Sequence, residues 1–279
     1  MAQATGRSTY LPGYHLSNLT HHEWRTAENS AMHLVPTLEA MAGLNPGLTL
    51  LDVGAGSGTI TASLAKYMPQ GHITATDISE EILQRAAEYA RKAGASNISF
   101  EVANVYKLPF PDSSFDVVHA SQVLAHLDAP VQALKEMLRV TKPNGVVASK
   151  DGVLHTWSVH PDLPAIAKFQ EVLVGTMKAA GGQCNAGAEL VSWAMKAGAS
   201  REQITATMST WCYSTPEERQ IWGGAMGERI KSGAMRKKAS ELGLATEAEL
   251  DEMGKAWDEW VATEDACFGL MNGEILVKK

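Results

Sequence analysis

Two carboxylates and three glycines in the first third of this 279-residue chain stand where ligand chemistry is done. The run Leu50-Leu51-Asp52-Val53-Gly54-Ala55-Gly56-Ser57-Gly58-Thr59 reads as a buried strand, a tight glycine bend and the first turn of a helix. Glycine serves where the main chain turns left-handed or must touch a ligand. A helix start adds unpaired N–H groups and the positive end of a dipole. The dinucleotide fingerprint is G-x-G-x-x-G. Here the third glycine, Gly58, comes one residue early and Thr59 takes the fingerprint position. Asp52 also precedes the bend, where it would repel a pyrophosphate and attract a ligand carrying an ammonium and a sulfonium. The pattern therefore favours a methionine-type nucleoside, S-adenosylmethionine, over NAD.

The following strand ends support that reading in order. Asp77 closes the second strand, and an acid there accepts hydrogen bonds from two ribose hydroxyls. Ile78 beside it would cover one face of an adenine ring. Asn104, with Val105 next to it, follows the third strand and would accept from the adenine amine. Ser121 and Gln122 end the fourth and would lie under the methionine portion. Each residue alone has a plainer explanation as a cap, a turn residue or a salt-bridged acid. Their succession at the ends of consecutive strands makes the set specific, with Gly54 and Gly56 forming the bend itself.

The elements that must position these groups are short apolar strands at 49–53, 72–78, 98–102, 115–120 and 146–149, alternating with helices at 59–68, 79–92 and 131–140. Apolar residues recur at helical spacing in 79–92 (Ile82, Ala86, Tyr89, Ala90), and Gly94 is its expected stop. Pro143-Asn144-Gly145 reads as a turn. Strand–helix alternation calls for right-handed crossovers and a mainly parallel sheet. The expected fold is α/β: a Rossmann-like, mainly parallel seven-stranded sheet with helices on both faces. An N-terminal helical lid occupies 1–45, the cofactor core 46–155, and a helical cap with the last two strands 156–279. The lid reads as amphipathic helix over 15–42, broken near Pro36. The cap reads as helices at 162–180, 186–197, 216–232 and 246–261, with strands at 203–213 and 274–278. Thr215-Pro216-Glu217-Glu218 and Thr246 with Glu249 mark two helix starts.

The 45% apolar and 20% charged composition is that of an ordinary globular chain. A net charge of −7 with only short basic runs disfavours nucleic acid as a partner. Three scattered cysteines, Cys184, Cys212 and Cys267, form neither a disulfide framework nor a structural zinc pattern. No secretory leader or apolar run of membrane length is seen. A reducing, cytoplasmic location is expected, without membrane attachment or a metal, and the oligomeric state stays open.

Residues 51–59, Thr76-Asp77-Ile78-Ser79, the stretch 108–116 (Leu108-Pro109-Phe110-Pro111-Asp112-Ser113-Ser114-Phe115-Asp116), and Val123-Leu124-Ala125-His126-Leu127 with Pro130 and 136–143 resemble class I methyltransferases. The resemblance is closest to the enzymes that methylate quinone precursors in ubiquinone and menaquinone synthesis, and it covers about 46–150. The flanks, at Trp24-Arg25-Thr26-Ala27-Glu28-Asn29-Ser30, Ser209-Thr210-Trp211-Cys212 and Trp222-Gly223-Gly224, are similar to a subgroup common in actinobacteria and fungi. That subgroup includes secondary-metabolism enzymes and thiol methyltransferases acting on gliotoxin-type dithiols. One departure is Asn104, where many members carry an acid; asparagine still accepts from the adenine amine.

The resemblance implies methyl transfer to a small, flat, apolar molecule, with S-methylation of a gliotoxin-like thiol foremost. O- or C-methylation of a phenolic, quinone or polyketide metabolite is the alternative, and a repurposed, non-methylating binding fold is the reading outside that class. Thiols supply useful thiolate near a free pKa of ~8.5, whereas phenols near ~10 need more help. His119 and His126 are the candidate bases, each with an equally good structural role. Arg25 would pair with the methionine carboxylate, or else with Glu28. Tyr14, Trp24, Trp157 and Trp222 are the candidate substrate contacts, against the default that large rings fill gaps between helices.

Overall fold

The structure is a computed structural model that describes residues 23–279. Strand β1 (Thr49–Val53) lies between β2 (His72–Asp77) and β4 (Phe115–Ser121), with β3 (Ile98–Val102) outside β2 and β5 (Thr141–Gly152) outside β4. All four pairings are parallel. Strand β8 (Cys267–Lys278) then runs antiparallel to β5, to the short β6 (Ser158–His160) and to β7 (Ile204–Tyr213). The order β3-β2-β1-β4-β5 reverses direction at β1 and β4. Open α/β sheets bind ligands at the carboxyl ends of the strands at such a reversal.

The central strands β1 and β4 are buried on both faces, as the middle of a parallel sheet requires. Alternate residues of β1 serve different cores: Leu50 packs with Val117, Ala148 and Leu64 on one face, and Leu51 with Val118, Val147 and Ile275 on the other. The first face is covered by α1 (Ala27–Ser30), α2 (Val35–Leu44) and α3 (Thr59–Leu64). The helix after β2, α4 (Glu80–Lys92), is N-capped by Ser79 and buries Ile82, Leu83, Ala86 and Ala90. The second face is covered by α5 (Pro130–Val140) and α7 (Ala186–Ala197), through Leu134, Met137, Leu190 and Trp193. Helix α7 lies unusually close to β8. A Cβ added at Gly187 or at Gly273 would strike the other segment's backbone, so this crossing tolerates no side chain at either position.

The remaining helices, α6 (Pro164–Ala179), α8 (Pro216–Arg219), α9 (Ala225–Lys231), α10 (Ala234–Glu241) and α11 (Glu247–Ala262), share a separate core with β7 and β8. Trp257 and Trp260 are completely buried there.

The sheet has eight strands where seven were expected. The addition is β6, three residues long and directly before Pro161, too short to show a period. Strand β8 begins at Cys267, earlier than the reading from 274, and runs through Gly273, where it crosses α7 closely. The expected turn at Pro143–Gly145 is an irregularity inside β5: the register shifts between Phe115 and Val117, and Asn144 takes φ 65°. The helix read over 216–232 is divided by a wide turn at Gln220–Gly224 between α8 and α9, and α10 was not anticipated. The part of the expected lid helix over 15–22 lies outside the described residues; beyond it the chain forms α1 and α2. Among the described residues, no helix is long and apolar enough to cross a membrane.

Candidate functional site

A cavity opens at the carboxyl ends of β1, β2 and β4, with about 1120 Å³ of empty space including solvent at its mouth. The glycine bend forms one wall. Gly54, Gly56 and Gly58 have φ of 68°, 54° and 76°, a region open to glycine and strained for other residues. A side chain on Gly54 would strike Val123 and one on Gly58 would strike Ala86, whereas Gly56 meets nothing within 4 Å. Two of the three glycines are thus needed for packing, and Gly56 leaves its main chain open to the cavity.

Asp77 is fixed against this bend. One oxygen accepts from the Gly56 N–H at 3.1 Å, and the other from the Ser79 N–H at 3.1 Å. Ile78 follows at the mouth, 52% exposed. Asn104 and Val105 reach the cavity from the turn after β3. The Asn104 side-chain oxygen already accepts from the Tyr106 N–H at 3.0 Å, so the atom expected to read an adenine amine also holds its own turn. Ser121 and Gln122 line the floor. The Ser121 hydroxyl is buried without a hydrogen-bond partner among the described residues. Gln122 is held at φ 57°, with its side chain tied to Asn272 and to the Gly152 N–H.

Asp52 is more engaged than the sequence suggested. Its carboxylate accepts from His119 Nδ1 at 2.8 Å and from the Thr61 hydroxyl at 2.5 Å. Asp52 and His119 are cross-strand partners in register, which puts both side chains on one face. His126 sits on the turn Leu124–His126 and also lines the cavity. Burial, with Arg25 and Arg229 nearby, pushes its pKa down to about 4. Arg25 lines the opposite side, with its guanidinium 4.6 Å from the centre of the Trp211 ring. Glu28, the alternative partner proposed for it, accepts from Ser63 and Tyr67.

The structure adds groups that the sequence reading missed. Lys150 on β5, 2% exposed, pairs with Glu274 on β8 at 3.1 Å and donates to Ser209 and to the Asn29 carbonyl. Burial pushes the Lys150 pKa down against the pull of Glu274. With Asp52 and His119 these residues make a polar row across the face that α1 covers. Asp151, fully buried, accepts from the Ala125 N–H at 3.0 Å and so holds the turn that carries His126. Burial pushes its pKa up to about 7. A charge inside an apolar strand run, as in Val146-Val147-Ala148-Ser149-Lys150-Asp151, was the available signal. Among the described residues, no three His, Cys, Asp or Glu side chains converge to hold a metal ion.

The aromatic expectations fare differently. Tyr14 lies outside the described residues. Trp24 packs on Tyr213 and Trp211, with ring centroids 4.8 and 6.4 Å apart. Trp157 and Trp222 do not line the cavity. Trp157 packs edge-on to Phe268, and Trp222 stacks on Tyr213, both within the cap core. Their rings fill the space between cap helices, burying large apolar area.

The donor set fits a cationic amino-acid nucleoside: an acid tied to the bend, open main chain at Gly56 and an unpartnered hydroxyl on the floor. Residues 44–220 match the protein family described as "Methyltransferase domain". The whole chain is 32% identical to an uncharacterized methyltransferase of Schizosaccharomyces pombe, covering 99% of it. Over 37% of its length it is 37% identical to the ubiquinone/menaquinone biosynthesis C-methyltransferase UbiE of Vibrio parahaemolyticus, covering 41% of that protein. A phosphoethanolamine N-methyltransferase of Haemonchus contortus, solved with S-adenosylhomocysteine, shares the fold. The TM-score is 0.56 at 18% identity, over 98% of this chain and 60% of that one.

Proposed function

Because the chain belongs to the S-adenosylmethionine-dependent methyltransferases, we propose that the cavity takes this cofactor and that the acceptor is a thiol of a gliotoxin-like secondary metabolite. When bound, the cofactor supplies an activated methyl group, which leaves the chain mainly a positioning task. Asp77 holds the ribose hydroxyls, Ile78 and Val105 cover the adenine, and Asn104 accepts from its amine. Gly54 and Gly56 give main-chain contacts, Ser121 and Gln122 lie under the amino-acid end, and Arg25 receives its carboxylate. Residues 46–155 act as the cofactor core, with the segment before it as lid and the segment after it as acceptor side.

One observation carries the reading: Asp77, the glycine bend, Asn104 and Ser121 come from four successive strand ends and meet around one cavity. The thiol acceptor rests on the resemblance of the flanking stretches and on how little help a thiol needs to ionise.

Calorimetry with S-adenosylmethionine and S-adenosylhomocysteine tests the first part, with binding expected for both and none for NAD. Release of S-adenosylhomocysteine from a panel of dithiols and phenols tests the second. Turnover confined to phenols would replace the thiol reading with O-methylation, and no turnover with any acceptor would favour a fold kept for binding.

A further inference from the structure

We propose that His119, oriented by Asp52, is the base that takes the proton from the acceptor. The inference rests on the methyl-transfer reading above and deepens it.

The geometry fixes the tautomer. A carboxylate can only accept, so the 2.8 Å contact between Asp52 Oδ1 and His119 Nδ1 places the hydrogen on Nδ1. That leaves the lone pair on Nε2, the arrangement a general base requires. Thr61 donates to the second carboxylate oxygen at 2.5 Å, so Asp52 cannot swing away without losing a bond at each end.

The free nitrogen points to a ligand. His119 is fully buried and lines the cavity, yet Nε2 has no hydrogen-bond partner among the described residues. Ser121, two residues along the same strand and on the same face, has a buried hydroxyl in the same condition. Buried polar groups without partners are rare and need an explanation. Two on one strand face, both at one cavity, are explained by a bound molecule.

The charged groups that face the ring come from several elements. Asp52 on β1 touches the ring. Lys150 on β5 is balanced by Glu274 on β8, His33 ahead of α2 is held neutral chiefly by burial, and Arg25 rests over Trp211. A new imidazolium would therefore face its own carboxylate. Burial opposes a proton on His126, as do Arg25 and Arg229 beside it. The step balances. The acceptor X–H gives its proton to Nε2, the pair left on X forms the bond to the methyl carbon, and the pair of the broken carbon–sulfur bond stays on sulfur.

The first test needs no turnover. In the full chain with ¹⁵N-labelled histidine, one imidazole at pH 7 should show a protonated Nδ1 and a bare Nε2, and H119Q should remove that signal. A proton on Nε2 at pH 7 overturns the proposal. The second test uses dithiothreitol and 2-naphthol as acceptors. H119Q should lower kcat about 100-fold at pH 7 with either. With the thiol, the deficit should shrink towards about pH 9.5, as solution thiolate replaces the base. D52N should show a smaller deficit with the same pH signature. Calorimetric affinity for S-adenosylhomocysteine should stay within about threefold in H119Q. A deficit independent of pH, or a collapse of that affinity, would make His119 a structural residue. If the wild type methylates neither probe, the acceptor reading fails, and the imidazole spectrum still decides the dyad.

Discussion

The strand-end cavity and the cap core around Trp257 are both deeply buried, and they use that burial in opposite ways. In the cap, Trp257 meets Phe169, Trp260 and Trp157 edge-on at 5.4, 5.7 and 6.2 Å, and the surrounding side chains are apolar. At the strand ends, β1, β2 and β4 each contribute a polar or charged residue, and the cost of burying it is met by a named partner or left open towards the cavity. The difference separates two uses of burial: six tryptophans in the second half attract attention, while the cavity is lined by Asp52, Asp77, His119 and Ser121.

That contrast can be broken by substitution. The largest effect is expected from Trp257→Ala, which removes a fully buried ring that makes no hydrogen bond among the described residues. It should cost about 3–5 kcal/mol of stability in urea unfolding. The affinity of the surviving folded protein for S-adenosylhomocysteine should be unchanged; a large loss of affinity would place the cap core in the binding site.

Asp77→Ala should do the reverse. Losing charge-assisted contacts is worth about 2–3 kcal/mol, so calorimetry should show affinity weakened about 100-fold. The circular dichroism of the folded state should be retained. Unchanged affinity would remove Asp77 from the site.

Asp151 sharpens the comparison through pH. Its carboxyl is pushed up to about 7 by burial, above the 3.8 of an exposed aspartate, so the folded state binds the extra proton. Relative to D151N, the wild type should lose stability as pH rises from about 4 towards 7, by at most about 1.4 kcal/mol per unit, and level off above. Urea titrations across that range measure it, and an opposite slope would mean the carboxyl is ionised in its pocket.

The smallest effect belongs to a cap-region terminus. Thr246 accepts from the Glu249 N–H at 3.3 Å while Glu249 reaches back to the Thr246 N–H. Thr246→Ala should cost about 1 kcal/mol, seen as a melting temperature about 2–4 °C lower, with cofactor affinity untouched.

Much of the cofactor half was legible because its signals are local. A glycine bend between a strand and a helix, and an acid at the next strand end, are written in contiguous residues. The helix starts at Thr215 and Thr246 were legible for the same reason, since a capping box spans four positions. Local signals also misled. The last strand was read only from 274, yet it begins at Cys267 and passes through Gly273, where α7 crosses it. Asn104 looked free to read a base, and its oxygen was already bonded two residues away. The partner of Trp157, Phe268, lies far along the chain, and only packing shows that Trp222 stacks on Tyr213.

Residue order alone therefore determined the parallel core, the glycine bend and the strand-end acids, because strand period, glycine's access to positive φ and helix capping act over a few neighbouring residues. Tertiary structure decided which polar groups became a row, which imidazole met a carboxylate and which aromatics turned away from the cavity. Asp52 and His119 become neighbours only when β1 and β4 pair, and Lys150 finds Glu274 only when β8 adds antiparallel to β5. Contacts between residues far apart in sequence carry no period, so they exist only once the sheet has closed.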